Sequence, residues 1–212
     1  GSTAMATDGM RFNSADFDYD FGDFAVHTDD LKAVLQSSDI RQIAVRTGWV
    51  HFLTESGIVW TVGRRDSSAY RKDIHGNILK FVEGSIEAKT EGNIETELPV
   101  GLADAVDKLE VYAQSDKESG TVRVDLKINS AGLSLWASRT EGKARESLEW
   151  PEPLPEGVDH EMAVSGPFLK EAAARNLKLH VVKVDFRGTQ STQIAFKGGN
   201  FTQVVKAIAK AA

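Results

Sequence analysis

The sequence predicts an α+β protein in which a helix followed by an antiparallel meander occurs three times. Apolar residues recur at helical spacing in three segments, and each segment precedes runs in which apolar and polar residues alternate. Turn residues separate these runs. Hydrophobic residues make up 41% of the chain and charged residues 26%, which is ordinary for a globular protein and provides enough apolar material for a core.

The clearest copy begins at residue 102. Its apolar positions at helical spacing are Leu102, Ala105, Val106, Leu109, Tyr112 and Ala113. Alternating runs then cover 122–128 and 133–137, and the residues at 129–132 between them are typical of a turn. Residues 143–150 supply a third candidate strand. We therefore expect one helix and three antiparallel strands in this order.

A later copy repeats the same order. The sequence predicts a helix over 167–175, where Pro167 is well suited to the first turn. Candidate strands follow at 180–186, 190–196 and 201–205, with glycine-containing turns between them.

An earlier copy starts near Asp29 and Asp30, which favour a helix N-terminus. The apolar side of this helix would consist of Leu31, Val34 and Leu35. The alternating residues of its three strands are Ile43, Val45, Val50, Phe52, Ile58, Trp60 and Val62.

The predicted domains are 6–77 and 97–212, joined by a linker over 78–96 that is rich in Gly, Glu, Asn and Lys. Residues 1–5 resemble a cloning remnant. The second and third copies are expected to share one continuous sheet, because each copy is too small to bury its own apolar face. The proline-rich segment 151–155 is therefore interpreted as a loop inside the second domain.

Composition argues against several classes of protein. Cysteine is absent, which excludes disulfides and thiol catalysis and suits a cytoplasmic location. No run of apolar residues is long enough to span a membrane. The five histidines lack metal-binding spacing, so no metal or other cofactor is expected. A net charge of −6 argues against a protein that coats nucleic acid with its whole surface, although one basic face remains compatible with it.

Two enzyme-like or metal-like patterns fail on inspection. The acidic run 16–23 resembles a calcium loop, but Phe21 and His27 stand where an EF-hand needs Gly and Glu. Its alternating aromatics instead indicate an edge strand. Acid–base pairs such as Glu55 with His51 have no nucleophile, metal or phosphate loop beside them, so we do not expect an enzyme.

Several segments resemble one family when taken in order along the chain. Residues 6–12, ATDGMRF, resemble the A-T-D-G-x-R-apolar strand in the central domain of bacterial sliding clamps, the beta subunit of DNA polymerase III. Residues 55–61 leading to 68–72 are similar to the clamp segment that ends in a P-D-Y-R-R type motif. The order of helix and strands from 102 to 149 resembles the third clamp domain, and 201–209 occupies the place of its last strand and C-terminal peptide.

The resemblance implies the DNA clamp fold, with the second half of a central domain followed by a complete third domain. It also implies a processivity factor that tethers DNA polymerase, the clamp loader and repair proteins through their short hydrophobic motifs. Such clamps close as rings around double-stranded DNA, and the resemblance leaves open whether this chain forms a homodimer. No membrane partner is expected.

Carried over by position, the partner-peptide site would contain Thr7, Gly9, Arg11, Phe12, Lys72, Val204, Val205 and Ile208. Apolar walls would bury an anchor side chain, and cations at the rim would hold the peptide backbone or an acidic residue. Plain strand packing remains an alternative for the apolar members, and a turn for Gly9. The sequence departs from the family pattern at Ser68, Asp73 and 206–207.

In clamps the helices face DNA, and the basic residues on the predicted helices here are Lys32, Lys108, Lys170 and Arg175. Acidic residues share the same helices, so a solvated surface of mixed charge is the alternative that the sequence favours. A further open alternative is a clamp-like decoy that occupies clamp-binding partners without encircling DNA. Additional upstream sequence would favour the clamp over the decoy.

Overall fold

The computed structural model describes residues 2–7, 11–17, 24–37, 39–66, 80, 82–87, 92–112, 122–139, 142–186 and 189–205. The chain divides into two compact units. The first comprises residues 1–4 and 16–78, and the second comprises residues 5–15 and 79–212.

Most of the described residues lie in helices and strands. The strands are β1 Ser2–Thr7, β2 Arg11–Phe17, β3 Ile40–Arg46, β4 Trp49–Thr54, β5 Val59–Gly63, β6 Ile94–Glu97, β7 Arg123–Asn129, β8 Gly132–Arg139, β9 Gly142–Leu148, β10 Asp159–Ser165, β11 Lys178–Phe186, β12 Thr189–Gly198 and β13 Phe201–Val205. The helices with assigned bounds are α1 Thr28–Ser37, α2 Leu102–Glu110 and α3 Gly166–Ala174. Residues 82–87 are also helical. None of the helices in the described part of the chain is long and apolar enough to cross a bilayer.

In the first unit, α1 packs against an antiparallel sheet in the order β3-β4-β5. Its buried core consists of Val34, Val50, Phe52 and Val62. The turn between β3 and β4 contains Gly48 at φ 80°, in the left-handed region that glycine adopts without a Cβ penalty. The predicted helix start at Asp29 and Asp30 and the predicted three-stranded meander are both confirmed.

The second unit contains a four-stranded sheet in the order β10-β7-β8-β9, and the larger sheet has the order β1-β2-β13-β12-β11-β6. The predicted helices and strands of the two later copies are confirmed in type and order. Trp150, predicted as the end of a strand, lies beyond β9; its indole is buried and donates a hydrogen bond to the carbonyl of Asn129 at 2.8 Å.

The expected continuous sheet across the second and third copies is wrong. The meander β7-β8-β9 is completed by β10, which immediately precedes α3, whereas the meander β11-β12-β13 is completed by β6, which precedes α2. Each copy thus takes a strand from the chain just before the helix of the other copy. The copies form two sheets that share a core, because the exchange buries both apolar faces without joining the meanders edge to edge.

That shared core is the largest in the described residues. It includes Leu109 of α2, Val124 of β7, Leu135 of β8 and Leu169 of α3, together with Phe196 of β12. The α3 helix begins where its backbone can come close to α2 and β7. A Cβ on Gly166 would lie 3.1 Å from Val106 and 3.2 Å from Val124, so only glycine fits there without a shift.

The described residues of the segment predicted as a linker, 78–96, contain regular secondary structure. Residues 82–87 are helical, and Ile94 begins β6, which pairs with β11 from Ile94 opposite Val181 to Glu97 opposite Lys178. Val82 and Ile94 are buried. The polar composition concealed a sparse apolar pattern, in which Val82 and Ile86 stand one helical turn apart.

Candidate functional site

The strands β2 and β13 bring together residues from the two ends of the described chain. They are antiparallel, with Arg11 opposite Val205 and Phe12 opposite Val204. The hydroxyl of Thr7 on β1 donates a hydrogen bond to the backbone carbonyl of Arg11 on β2 at 2.8 Å. This bond holds β1 beside Arg11. Five of the eight predicted peptide-site residues therefore lie together. Gly9, Lys72 and Ile208 are outside the described residues.

The two valines of this strand pair face opposite ways. Val204 packs with Phe12 against Val82 and Val182, on the side of the larger sheet where residues 82–87 lie. Val205 faces the shared core on the other side. Val204 is 2% exposed and Val205 is 1% exposed, so both side chains are core residues of this strand. Strand packing, the alternative left open by the sequence, describes these two positions.

The side chain of Arg11 extends from the strand pair toward α3. Its guanidinium donates to the Oε2 atom of Glu171, and the Oε1 atom of the same carboxylate lies 3.3 Å from Arg175 Nη2. One carboxylate thus holds two arginines from different parts of the second unit. The side chains remain partly accessible, with 23% exposure for Arg11, 30% for Glu171 and 53% for Arg175.

Each arginine also lies over an aromatic ring. The Arg11 guanidinium is 4.5 Å from the centroid of Phe168, and the Arg175 guanidinium is 4.8 Å from the centroid of Phe201. A guanidinium at such a distance is attracted by the negative face of the ring. Phe168, Glu171 and Arg175 follow one another at i, i+3 and i+7 along one stripe of the α3 segment, which explains why a single helix face supplies all three. Here Arg11, Glu171 and Arg175 are called the arginine–glutamate cluster.

The buried amide of Gln203 and the half-buried side chain of Asn13 lie on one face of the strand pair, the face of Val205. Gln203 stands opposite Asn13, between Phe201 and Val205 on β13, and its side chain points to the same side as theirs because strand residues alternate. Gln203 is fully buried. Among the residues that the structure describes, neither atom of its amide has a hydrogen-bond partner, and neither does the Oδ1 atom of Asn13. A buried amide without a hydrogen-bond partner lowers the free energy of unfolding by roughly 1–3 kcal/mol. The amide of Gln203 is therefore an unsatisfied polar group in the core.

The basic residues predicted to face DNA all have acidic partners. The shortest nitrogen–oxygen distances are 3.9 Å for Lys32 with Asp29, 3.7 Å for Lys108 with Glu146, 2.8 Å for Lys170 with Asp107 and 3.3 Å for Arg175 with Glu171. Hydrogen bonds to Asp107 and then Glu110 raise the pKa of Lys170 above its ordinary value of 10.5. A phosphate would have to compete with these carboxylates, so the mixed-charge arrangement weakens any attraction to DNA.

A groove of about 530 Å³ lies at the other end of the larger sheet. Lys178, which forms ion pairs with Glu95 at 3.2 Å and Glu97 at 3.3 Å, lines it together with His180. Burial lowers the pKa of His180 below its ordinary value of 6.5. Both lysines and glutamates line this groove, and the ion pairs of Lys178 offset part of their charge. No sequence motif pointed to it.

Known structures match this arrangement along almost the whole chain. The DNA polymerase III beta chain of Streptococcus pneumoniae superposes with a TM-score of 0.69 at 14% identity, covering 98% of this chain and 54% of that chain. Caulobacter crescentus pol III beta gives 0.70 at 15% identity, covering 98% and 54%. The fold is that of a bacterial sliding clamp.

A sliding clamp from Bartonella birtlesii bound to griselimycin matches in the same way, with a TM-score of 0.66 and 15% identity over 98% of this chain and 54% of that one. This chain spans about half the length of the sliding clamps that it matches. No family model and no curated protein sequence matches the chain. The resemblance predicted from the motifs is thus confirmed at the level of the fold.

The contacts within this chain also show which neighbours of Arg11 and Arg175 the motif comparison missed. Glu171 and Phe168 contact Arg11, and Phe201 lies beneath Arg175, whereas the sequence indicated only a charged helix surface and apolar packing at these positions. Arg175, predicted to face DNA, belongs to the same cluster as Arg11, predicted to face a peptide. The helical spacing of 168, 171 and 175 was visible in the sequence, but nothing local indicated that β2 would lie beneath it.

Proposed function

We propose that this chain is a sliding-clamp module that tethers DNA polymerase and other replication or repair proteins through a short hydrophobic peptide. Its role is accessory, as a processivity factor, and it performs no catalysis of its own. The single observation that supports this proposal is the match of 98% of the chain to sliding clamps with a TM-score near 0.7.

The proposed peptide site is centred on Arg11, where β1, β2, β13 and α3 meet. Thr7 orients the backbone of Arg11, and Phe168 supports its guanidinium from below. A cation held on a ring is a suitable contact for the carbonyl or carboxylate groups of a bound peptide. Phe12, Gly9 and Ile208 complete the proposal from the motif comparison, with Ile208 as an apolar contact. The sliding clamp of Bartonella birtlesii, which is similar to this chain in fold, is bound to griselimycin.

Contact with double-stranded DNA is proposed only for a closed ring of clamp modules. The acidic partners of Lys108 and Lys170 leave α2 and α3 with little unpaired positive charge among the described residues. Loose contact through water and the ends of long side chains is compatible with such a surface, whereas tight phosphate binding is not.

The experiment that tests the peptide site is a titration with a short hydrophobic clamp-binding peptide, in which calorimetry measures the heat of binding. We expect saturable binding that weakens about tenfold in Arg11→Gln, since a lost charged hydrogen bond contributes about 1.4 kcal/mol. Ile208→Asp should abolish binding, because it places a charge against the apolar anchor.

Arg145→Gln is the matched control for this titration. Arg145 is an exposed arginine on β9, in the four-stranded sheet of the same unit, and its Nη2 atom lies 3.3 Å from the hydroxyl of Ser134. Its removal should leave the affinity unchanged. A wild-type chain that shows no saturation, or equal losses in Arg11→Gln and Arg145→Gln, would contradict the proposed site.

A further inference from the structure

A short helix of this chain covers the apolar part of the proposed peptide site. Phe12 on β2 and Val204 on β13 face one side of the larger sheet, and residues 82–87 form a helix on that side. Val82 packs in the same cluster as these two residues and is 0% exposed. Ile86, one helical turn further along, packs against the same cluster. The apolar wall proposed for a partner thus already holds two aliphatic side chains of the chain itself.

The sheet surface in contact with this helix is apolar over several strands. Val182 and Val184 on β11 and Ala195 on β12 pack in the same cluster as Val82, and all of them are buried. Departure of the helix would bring these side chains and Val204 into contact with water. Exposed apolar surface of this kind favours the docking of a hydrophobic peptide, because docking removes the surface from water again.

The helix is poorly suited to persist without these contacts. Its continuous described part is 82–87, and helices shorter than about 12 residues are marginal alone in water. Gly84 lies in the middle of it, and glycine is the poorest helix former apart from proline. In the described part of the chain, nothing lies within 4 Å of the Cβ that another residue would place there, so packing does not require the glycine. The helix therefore forms because it is docked on the sheet.

Two side-chain hydrogen bonds connect the helix to its surroundings. The hydroxyl of Ser14 on β2 donates to the Oε1 atom of Glu83 at 3.3 Å. The Nδ2 atom of Asn93 donates to the backbone carbonyl of Ser85 at 2.8 Å. The Oδ1 atom of Asn93 accepts from the backbone N–H of Lys183 on β11 at 3.1 Å. Asn93 thus links the helix to the sheet from outside the apolar cluster.

We infer that the helix at 82–87 is an intramolecular occupant of the peptide site, and that a partner peptide binds by displacing it. The inference rests on the proposed function and adds its regulation, because the chain limits its own affinity for partners. A peptide meets the apolar wall only in those molecules whose helix has left the sheet. The apparent dissociation constant therefore rises as the docking equilibrium favours the helix.

Two substitutions in the helix should move the peptide affinity in opposite directions. Val82→Ala removes part of the apolar anchor of the docked helix, so calorimetric titration with the short hydrophobic clamp-binding peptide should show binding about fivefold tighter than in the wild type. Gly84→Ala favours the helical state, so the same peptide should bind about threefold more weakly.

A third variant releases the helix without changing the apolar wall. Asn93→Ala removes the link between the helix and β11, and should tighten peptide binding about threefold. Val164→Ala is the matched control for Val82→Ala. Val164 on β10 is also 0% exposed, but it packs in the shared core. It should lower the stability of the second unit in urea without tightening peptide binding, which separates release of the helix from general destabilisation.

Hydrogen exchange measured by mass spectrometry provides a second readout in the wild-type chain. A saturating concentration of the peptide should speed exchange of the backbone amides at 82–87, because the displaced helix loses its hydrogen bonds. Amides at 82–87 that remain equally protected, or become better protected, while the peptide is bound would overturn the inference.

The outcomes separate the inference from the proposed function. Equal affinities of wild type, Val82→Ala and Gly84→Ala, or an equal gain in Val164→Ala, overturn the inference while wild-type binding still supports the function. Binding that appears only in Val82→Ala and Asn93→Ala supports the inference and counts against the function of the chain with its helix docked. Absence of binding in all of these proteins contradicts both.

Discussion

The two units follow the same order of helix and meander, yet they bury their apolar faces in different ways. In the first unit, α1 and three strands close on a small core of Val34, Val50, Phe52 and Val62. In the second, two copies exchange strands and share a core that draws on both helices and both sheets. The comparison teaches that one local pattern is compatible with a self-contained core and with a shared one, and that the flanking strands decide between them.

The largest expected effect comes from truncating a large side chain in one core and measuring the free energy of unfolding of both units. Leu135→Ala in the shared core should lower the free energy of unfolding of the second unit by about 3 kcal/mol and leave the first unit unchanged. Trp49 and Trp60 lie in the first unit, and Trp136 and Trp150 in the second, so fluorescence of variants that retain one pair reports each unit separately in urea. Phe52→Ala should reverse the pattern. Equal shifts of both transitions would contradict two separate cores.

A somewhat smaller effect is expected at the exchanged strand. Ile94→Ala should lower the stability of the second unit by about 2 kcal/mol, because Ile94 on β6 is 4% exposed and packs in the shared core. Ile58→Ala is the matched control, since Ile58 is 54% exposed in the first unit and should cost less than about 0.5 kcal/mol. Urea denaturation measures both. A neutral Ile94→Ala would mean that 78–96 behaves as a linker after all.

The smallest expected effect is the change in the stability of the second unit as the pH falls. Burial, opposed by Glu95 and assisted by Lys197 and Lys178, lowers the pKa of His180 below 6.5 in the folded chain. The unfolded chain then binds the proton more readily, so this contribution to stability is complete above pH 6.5 and is lost as the pH falls through the lowered pKa. His180→Gln should reduce the loss of second-unit stability on acidification, as measured by urea denaturation on both sides of that window.

His51→Gln provides the histidine control for this measurement. His51 lies on β4 in the first unit, where its Nδ1 atom is 2.9 Å from the hydroxyl of Thr61. It should not alter the acid response of the second unit. A response unchanged by His180→Gln would show that other groups cause the loss of stability in acid.

Much of the candidate site could be placed from the sequence, and some of it could not. The motif at 6–12 and the last strand identified Arg11, Phe12, Val204 and Val205, and the structure pairs them in register. The contact of Glu171 with Arg11 could not be predicted, because it joins residues that are far apart in sequence. No periodicity records such a contact, since local patterns report only which face of an element is buried.

By itself, the sequence determined the type and order of the helices and strands, because apolar spacing and turn residues act over a few positions. It also determined the fold family through the order of its short motifs. Only the tertiary structure decided that β6 and β10 change places between copies, and that α3 lies across β2 and β13 so that one carboxylate joins two arginines. The physical reason is that strand pairing depends on which exposed sheet edge lies nearest once the cores have formed. Every strand edge presents the same backbone N–H and C=O groups, so the sequence does not specify which edges pair.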